Sequence, residues 1–520
     1  MGMVAPEQRI ASAFFVLFGK YGDVTRYAQQ RGVCRQWIYR EAAALRNALA
    51  TARQEIDSLR QQLHQAHQAR AELEARLAQS VVIDAQKQEE LACVGQARGV
   101  TLRDCRDLVE VLVPGQALSV AELGRRTQAA GKKAGALLAV LDEVARQKVR
   151  EAAADEIYVK DPVLMVVEPE SLCWLSGKLS DEVSGEAWAR EFAQLPNLEQ
   201  VMRDGGTGLA KGVALVNEQR QELEQSLVVD QGDHFHALRH GGVGLNKAKR
   251  QAQKALAAAE AAQKQVDERA RQGRSQAGIA TRASHAWKKA EQAMDTWQER
   301  EKAWQKTKQA LQLFTPDGAL NTRAQAEAVL AETLPQLPEC DFAKAKRQLQ
   351  QPEMLNYLDR VQEKIAALPF AEDVKEAAVR QEGLRRRPEA LQGENPKAAA
   401  LRGVLLLCVV VLSKVGVEGL QAATAVKDVF RRAYRASSLV ECINSVLRMH
   451  QAGHRRMTQG LLDLKRLYWN CHTFGAGRRR KTTPYERLGV PWPADLHWWE
   501  VLKLTPEQLR NKLSTTTTAI

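Results

Sequence analysis

The chain lacks paired cysteines. Its eight cysteines, Cys34, Cys93, Cys105, Cys173, Cys340, Cys408, Cys442 and Cys471, form no C-x-x-C unit, which argues against a zinc ribbon and offers no disulfide framework. A reducing cytoplasm is the expected compartment. Long apolar runs are also missing: the strongest, residues 404–412, lies between Arg402 and Lys414 and falls far short of the ~20 residues that span a bilayer. A buried helix or strand is expected there. The N-terminus shows no basic, apolar, small-residue signal pattern. At 520 residues, the chain has room for three or four domains. Lys plus Arg is 75 against 62 for Asp plus Glu, a formal charge of +13. That excess makes nucleic acid the first suspect as partner, and the location of the charge decides whether it means more than solubility.

Residues 9–46 place Ile10, Phe14 and Leu17 at helical spacing, followed by Gly22-Asp23, a second helical stretch, Gly32 and a last helix from about Cys34. Helix, helix, glycine turn, helix is the helix-turn-helix pattern, whose final helix enters the major groove. On residues 1–46 that helix offers Arg35, Gln36, Tyr39 and Arg40, side chains suited to base edges and phosphates. A three-helix bundle with no DNA role has the same spacing. Ala42, Leu45, Leu49, Ala52, Ile56, Leu59, Leu63, Ala66, Arg70, Leu73 and Leu77 continue in steps of three and four, a coiled-coil seam. A homodimer through residues 47–92 is expected, the alternative being a long helix packed on its own chain. Residues 93–150 read as a second helix-turn-helix: a helix over 102–112, another over 120–127, a turn at Ala130-Gly131 and a last helix over 137–144, with Lys132 and Lys133 at its entry as DNA contacts.

Near residue 154 the periodicity becomes extended. Residues 155–159, 163–167 and 172–175 are short β-rich runs, followed by a helix over 185–195, a strand over 198–202 and a strand over 226–229. Three adjacent strands, helix, strand, helix, strand is the order of an RNase H-like sheet. The expected fold is therefore an α/β RNase H-like core, its first part at 151–241, with helical modules before it. Asp155 falls on the central strand and Asp204 just beyond the fourth. Two carboxylates on neighbouring central strands are costly to bury unpaired, which calls for a divalent cation. The plainer alternatives are that Asp204 caps a turn and Asp155 is a surface acid. Asp230, Asp233, His234, His236 and His240 are grouped like metal ligands, but no second spaced pair completes a tetrahedral set, and a structural role is expected.

Residues 242–400 are rich in Ala, Gln, Lys, Glu and Arg and read as a large all-α insertion. Trp297 and Trp304 lie seven apart with Met294 and Ala290 on the same stripe, which argues for helix packing. The core is expected to resume over 401–490, with a tail at 491–520. In 437–448, Val440, Ile443 and Leu447 make a core stripe, while Ser438, Glu441, Asn444, Ser445 and Arg448 share the other face. Ser438 and Glu441 also fit a capping box, in which Glu441 only satisfies the helix start. Arg435, Arg448, Arg455, Arg456, Lys465, Arg466, Arg478, Arg479, Arg480 and Lys481 gather basic charge around Glu441, where phosphates are expected. Tyr468, Trp469 and Trp492 fit either core packing or stacking on a displaced base.

The run R-A-S-S-L-V-E-C-I-N-S-V-L-R from Arg435, with T-Q-G-L-L-D-L-K-R-L-Y-W-N-C-H-T-F-G-A-G-R-R-R-K-T-T-P-Y-E-R-L-G-V from Thr458, resembles the C-terminal catalytic signature of bacterial insertion-sequence transposases of the DDE class. The resemblance implies an RNase H-like fold, an acidic triad on Asp155, Asp204 and Glu441, two Mg²⁺ ions for which Mn²⁺ can substitute, and cutting and joining of double-stranded DNA at transposon ends, on the bacterial nucleoid. The stretch between Asp204 and Glu441 is longer than in compact members, and a helical insertion accounts for it. Two other readings stand beside this one: a non-catalytic helix-turn-helix and coiled-coil regulator, and an RNase H-like nuclease that cuts without joining.

Overall fold

The computed structural model describes residues 5–79, 82–453, 457–493 and 496–517, and the chain divides into two units, Met1–Asp84 and Ala85–Ile520. In the first, α1 (Pro6–Phe18), α2 (Asp23–Arg31) and α3 (Arg35–Gln79) follow one another. Gly22 and Gly32 take φ of 89° and 64° at the two ends of α2, conformations that an L side chain resists. The small core is Tyr27, Ala28 and Ile38, packed by Ala11, Phe15, Val16 and Trp37. The sequence stripe of Ile10, Phe14 and Leu17 is instead exposed: α1 is apolar on nearly every side, and Phe15, stacked on Tyr27, decides which face turns inward. The 45 residues of α3 make a rod about 68 Å long at 1.5 Å per residue. Leu49, Ile56, Leu59, Leu63 and Leu73 are exposed along it, while Ala42 is buried, so the seam faces solvent from Leu49 to Leu73.

The second unit opens with α4 (Ala85–Arg98), α5 (Leu102–Leu112) and α6 (Val120–Ala145). The expected turn at Ala130-Gly131 does not exist, and with it goes the second helix-turn-helix over 93–150 as read from the sequence. Gly131 sits inside one continuous helix because a Cβ there would stand 2.5 Å from the carbonyl oxygen of Gly460. The glycine permits a close helix–helix approach and makes no bend. Strands β1 (Glu151–Val159), β2 (Asp161–Glu168) and β3 (Cys173–Leu179), then α7 (Gly185–Phe192), β4 (Gln200–Arg203), α8 (Thr207–Glu222) and β5 (Val229–Gly232), build one five-stranded sheet in the order β3-β2-β1-β4-β5. β1, β2 and β3 pair antiparallel, while β4 and β5 run parallel to β1. β1 starts four residues before its sequence signal. Ala152, Ala153 and Ala154 are poor strand formers, but burial on both faces of the sheet overrides propensity. β5 begins where its expected span ends, because the Asn217 amide brackets Val228, donating to its carbonyl at 2.9 Å and accepting from its N–H at 2.7 Å, and keeps 226–228 a loop.

The helical insertion follows: α9 (His234–Arg271), α10 (Ile279–Ala310), α11 (Arg323–Thr333), α12 (Glu339–Leu349), α13 (Asn356–Ala366), α14 (Glu372–Arg385), α15 (Pro396–Lys414) and α16 (Val417–Arg431). It is longer than 242–400 at both ends. Its own core runs from Ala237 and Trp304 to Cys408, Leu412, Val426 and Phe430, so the apolar segment at 401–412 serves the insertion and not the sheet. α15 is long and apolar enough to cross a membrane; Leu401, Cys408 and Leu412 are buried, while Leu406, Leu407, Val409 and Val410 are exposed. Trp304 packs over Gly241, the helix packing its spacing implies. The chain then returns through α17 (Val440–Gly453) and α18 (Gln459–Cys471) and ends with α19 (Pro484–Leu488), α20 (Trp498–Lys503) and α21 (Pro506–Thr517).

One sheet face packs on α6, α7 and α8 through Ala152, Ala154, Leu141, Trp188 and Val213. The other takes Val440, Ile443 and Leu447 of α17 against Ala153, Ile157 and Met202. Asn470 of α18 clamps β3, accepting from the Trp174 N–H at 2.8 Å and donating to its carbonyl at 2.9 Å. Arg466 is buried against Asp142 at 2.8 Å and also donates to the Leu175 carbonyl. Replacing Gly131 by Ala forces two backbones apart, and a loss of about 1–3 kcal/mol is expected, read as a lower urea midpoint at unchanged m-value; an unchanged midpoint contradicts the close approach.

Candidate functional site

The parallel ladder between β1 and β4 ends at Ala154 opposite Arg203. Asp155 is the next residue on β1 and Asp204 follows directly after the end of β4, so the register brings the two residues to neighbouring positions, close enough for the Asp204 charge to act on Asp155. Strand alternation turns Asp155 to the face that carries α17, where Asn444 Nδ2 donates to its Oδ2 at 2.9 Å. Asp155 is buried, and burial, with the charges of Asp204, Glu441 and Glu156 behind it, pushes its carboxyl up to about 8. Glu441 rides on the first turn of α17. Its two oxygens are forked by Arg448, at 2.6 and 3.2 Å, one helix face along. The capping-box arrangement for Glu441 is not among the hydrogen bonds of the described residues; its backbone N–H closes on the Ser438 carbonyl at 3.2 Å. Asp204 does hold its own turn, with Oδ1 accepting from the Gly206 N–H at 2.8 Å, so the local role and the shared site coexist.

Glu156 belongs to this cluster and was not singled out in the sequence. It points to the opposite face from Asp155, toward the start of α8, where a Cβ on Gly206 would stand 2.9 Å from Asp204 Oδ1 and 3.4 Å from Glu156 Oε1. Burial first, then the charge of Asp204, pushes Glu156 up to about 7, and its buried Oε2 has no hydrogen-bond partner. An acid that follows another acid on a strand carries no signal of its own, which is why only the three-dimensional placement reveals it.

Among the described residues, no three His, Cys, Asp or Glu side chains converge closely enough to hold an ion as they stand. The Arg448 fork draws Glu441 aside. The donor set nonetheless fits a hard divalent cation: it is all oxygen, burial and then the charges of Asp204 and Glu441 raise the Asp155 pKa, and a buried carboxylate beside like charges needs a counter-ion. Asp155, Asp204 and Glu441 are the residues that would hold it. In the histidine group, two members hold the fold locally. His234 is buried, its ring bonds the Met354 carbonyl at 2.7 Å, and burial, with Arg435, pulls it down to about 3; Asp233 caps α9 through the Phe235 N–H.

The basic residues separate into two groups. Lys465 and Arg466 cannot touch DNA: they are 1% and 7% exposed. Lys465 Nζ caps the carbonyl end of α4 at Gln96 and Ala97, 2.6 and 3.0 Å away, and burial pulls it down to about 7. Arg435 is half-buried, donating to the Leu311 carbonyl at 2.6 Å and lying over the Tyr357 ring. Arg479 holds the β2–β3 turn through the carbonyls of Pro169 and Glu170, and Arg478 pairs with Glu170 at 3.3 Å. Arg35, Gln36, Tyr39, Arg40, Lys132, Arg448, Arg480 and Lys481 are exposed. Lys133 is exposed too, with Nζ on the Lys503 carbonyl at 3.0 Å. Arg455 and Arg456 lie outside the described residues. The aromatics are packing groups: Tyr468 meets His472 and Trp498, Trp492 stacks on Tyr485, and Trp469 donates to the Leu172 carbonyl. Compared with protein families, curated proteins and solved structures, the chain finds no match.

Because the folded Asp155 carboxyl titrates near 8 and an unfolded one near 3.9, folding takes up a proton between those values. Without a cation, stability therefore falls as pH rises through that window, by up to about 1.4 kcal/mol per pH unit. Asp155→Asn removes this cost. Its melting temperature is expected to exceed that of the wild type at pH 8, with the gap closing toward pH 4; a pH-independent gap contradicts the assignment.

Proposed function

We propose that this chain is a DDE-class transposase, which binds transposon ends, cuts DNA to free 3′-hydroxyls and joins them to target DNA. The observation that carries the reading is the register that sets Asp155 beside Asp204, with Glu441 near enough to raise the Asp155 pKa. The strand order β3-β2-β1-β4-β5, three antiparallel strands followed by two parallel ones, supports an RNase H-like core. The quoted signature around Glu441 supports the class.

Two Mg²⁺ ions, with Mn²⁺ as a substitute, would supply activation of water or a 3′-hydroxyl and stabilisation of the leaving oxygen. The protein's share is to hold Asp155 and Asp204 at fixed spacing on the sheet and to deliver Glu441 on α17. Arg448 must release Glu441 before all three acids act together, and its guanidinium, more than half exposed, is then available to a DNA phosphate. Arg480 and Lys481 add exposed positive charge for the same backbone. No serine or tyrosine nucleophile is needed. In the first unit, Arg35, Gln36, Tyr39 and Arg40 read DNA, and the bare seam of α3 pairs with that of a second copy.

The decisive assay is cleavage and strand transfer on DNA bearing the element's ends, with Mg²⁺ or Mn²⁺. Asp155→Ala, Asp204→Ala and Glu441→Ala are each expected to lose both activities by at least a hundredfold while keeping end binding. Full activity in any one removes that residue from the site. Cleavage without joined product points to a nuclease, and tight binding with no nicking by the wild type points to a regulator. Separately, replacing Leu59 and Leu63 by Glu is expected to halve the mass measured by light scattering; a wild type that is already monomeric at working concentration sinks the dimer.

A further inference from the structure

We propose that Asn444 is the positioning residue of the acid cluster, fixing the Asp155 carboxylate for cation binding; the inference rests on the reading of that cluster as a cation site. Asn444 follows Glu441 by three residues, so one turn of α17 delivers both toward the end of β1. The sequence pattern put Asn444 on the polar face, yet it is fully buried, beside Ile443 and near Val440 and Leu447 of the apolar stripe. A neutral amide in such a seam costs free energy unless it is bonded.

Its bonding is lopsided. Nδ2 donates to Asp155 Oδ2 at 2.9 Å, while Oδ1 is buried with no partner in the protein. The donor fixes the rotation of the Asp155 carboxylate and commits one of its oxygens. The unmatched acceptor suits a proton from a water bound at the cluster. A core side chain chosen for stability would make neither arrangement, and leucine would fill the space without the desolvation cost. The amide is thus kept where it stabilises a ligand's geometry and not the fold, as outer partners of metal ligands do.

The test uses the full chain without DNA, titrated with Mn²⁺ and followed by the electron paramagnetic resonance signal of free Mn²⁺. Asn444→Leu and Asn444→Ala are compared with the wild type and with Asp155→Ala, each with its melting temperature. The expected result is at least a tenfold loss of Mn²⁺ affinity in both Asn444 variants, with Asn444→Leu melting no lower than the wild type, a split that a packing role would not produce. Affinity within twofold of the wild type in either folded variant overturns the proposal, and if Asp155→Ala then abolishes binding, the cation site itself stands. No Mn²⁺ binding by the wild type, or unchanged binding by Asp155→Ala, overturns both.

Discussion

Two hydrogen bonds at the neck of the insertion decide where Glu441 lies. The His234 N–H donates to the Arg435 carbonyl at 2.9 Å, and Ser437 Oγ donates to Asp233 Oδ2 at 2.5 Å. Between these partners the chain makes an excursion through eight helices, from α9 to α16. Closing so long a loop is costly in entropy, though the cost grows only slowly with length. It is offset where the excursion leaves and re-enters the sheet. The neck starts α17 beside the sheet, where its apolar stripe packs and Asn444 bonds Asp155.

The insertion is more than a tethered appendage. Arg360 of α13 is buried and donates to Glu151 at 2.8 Å and Glu199 at 2.7 Å, and it also bonds Gln200. These contacts pin the insertion to the starts of β1 and β4, the two strands whose far ends carry the acids. The Met354 carbonyl receives both the His234 ring and the Gln231 amide. The strand pair that sets the spacing of Asp155 and Asp204 is thereby braced from the insertion as well as from α6, α7 and α8.

What could be read from the sequence was whatever repeats or punctuates. The first three helices, the β-rich runs, the Asp155 strand, the α17 core stripe and the helical character of the insertion all follow local periodicity. Features that failed depend on contacts distant in the chain. Gly131 looked like a turn until Gly460 was packed against it, and Lys465 and Arg466 looked like phosphate ligands until α4 and Asp142 claimed them. Leu401 to Leu412 looked like the return to the sheet until Cys408 and Leu412 packed into the core of the insertion. Glu156 and Asn444 gave no local signal of a site at all: one hides beside Asp155, the other on what reads as a polar face.

The neck also fixes an order of assembly during synthesis. Folding begins from the N-terminal end as the chain emerges, so α1 to α3 and both aspartates are made while the insertion is still to come. β1 to β5 can pair within a local stretch, but the third acid reaches them only after the insertion has folded well enough to bring Arg435 back to His234. The acid cluster is therefore completed only after the insertion has been made, and a nascent chain short of residue 441 carries both aspartates without their third partner.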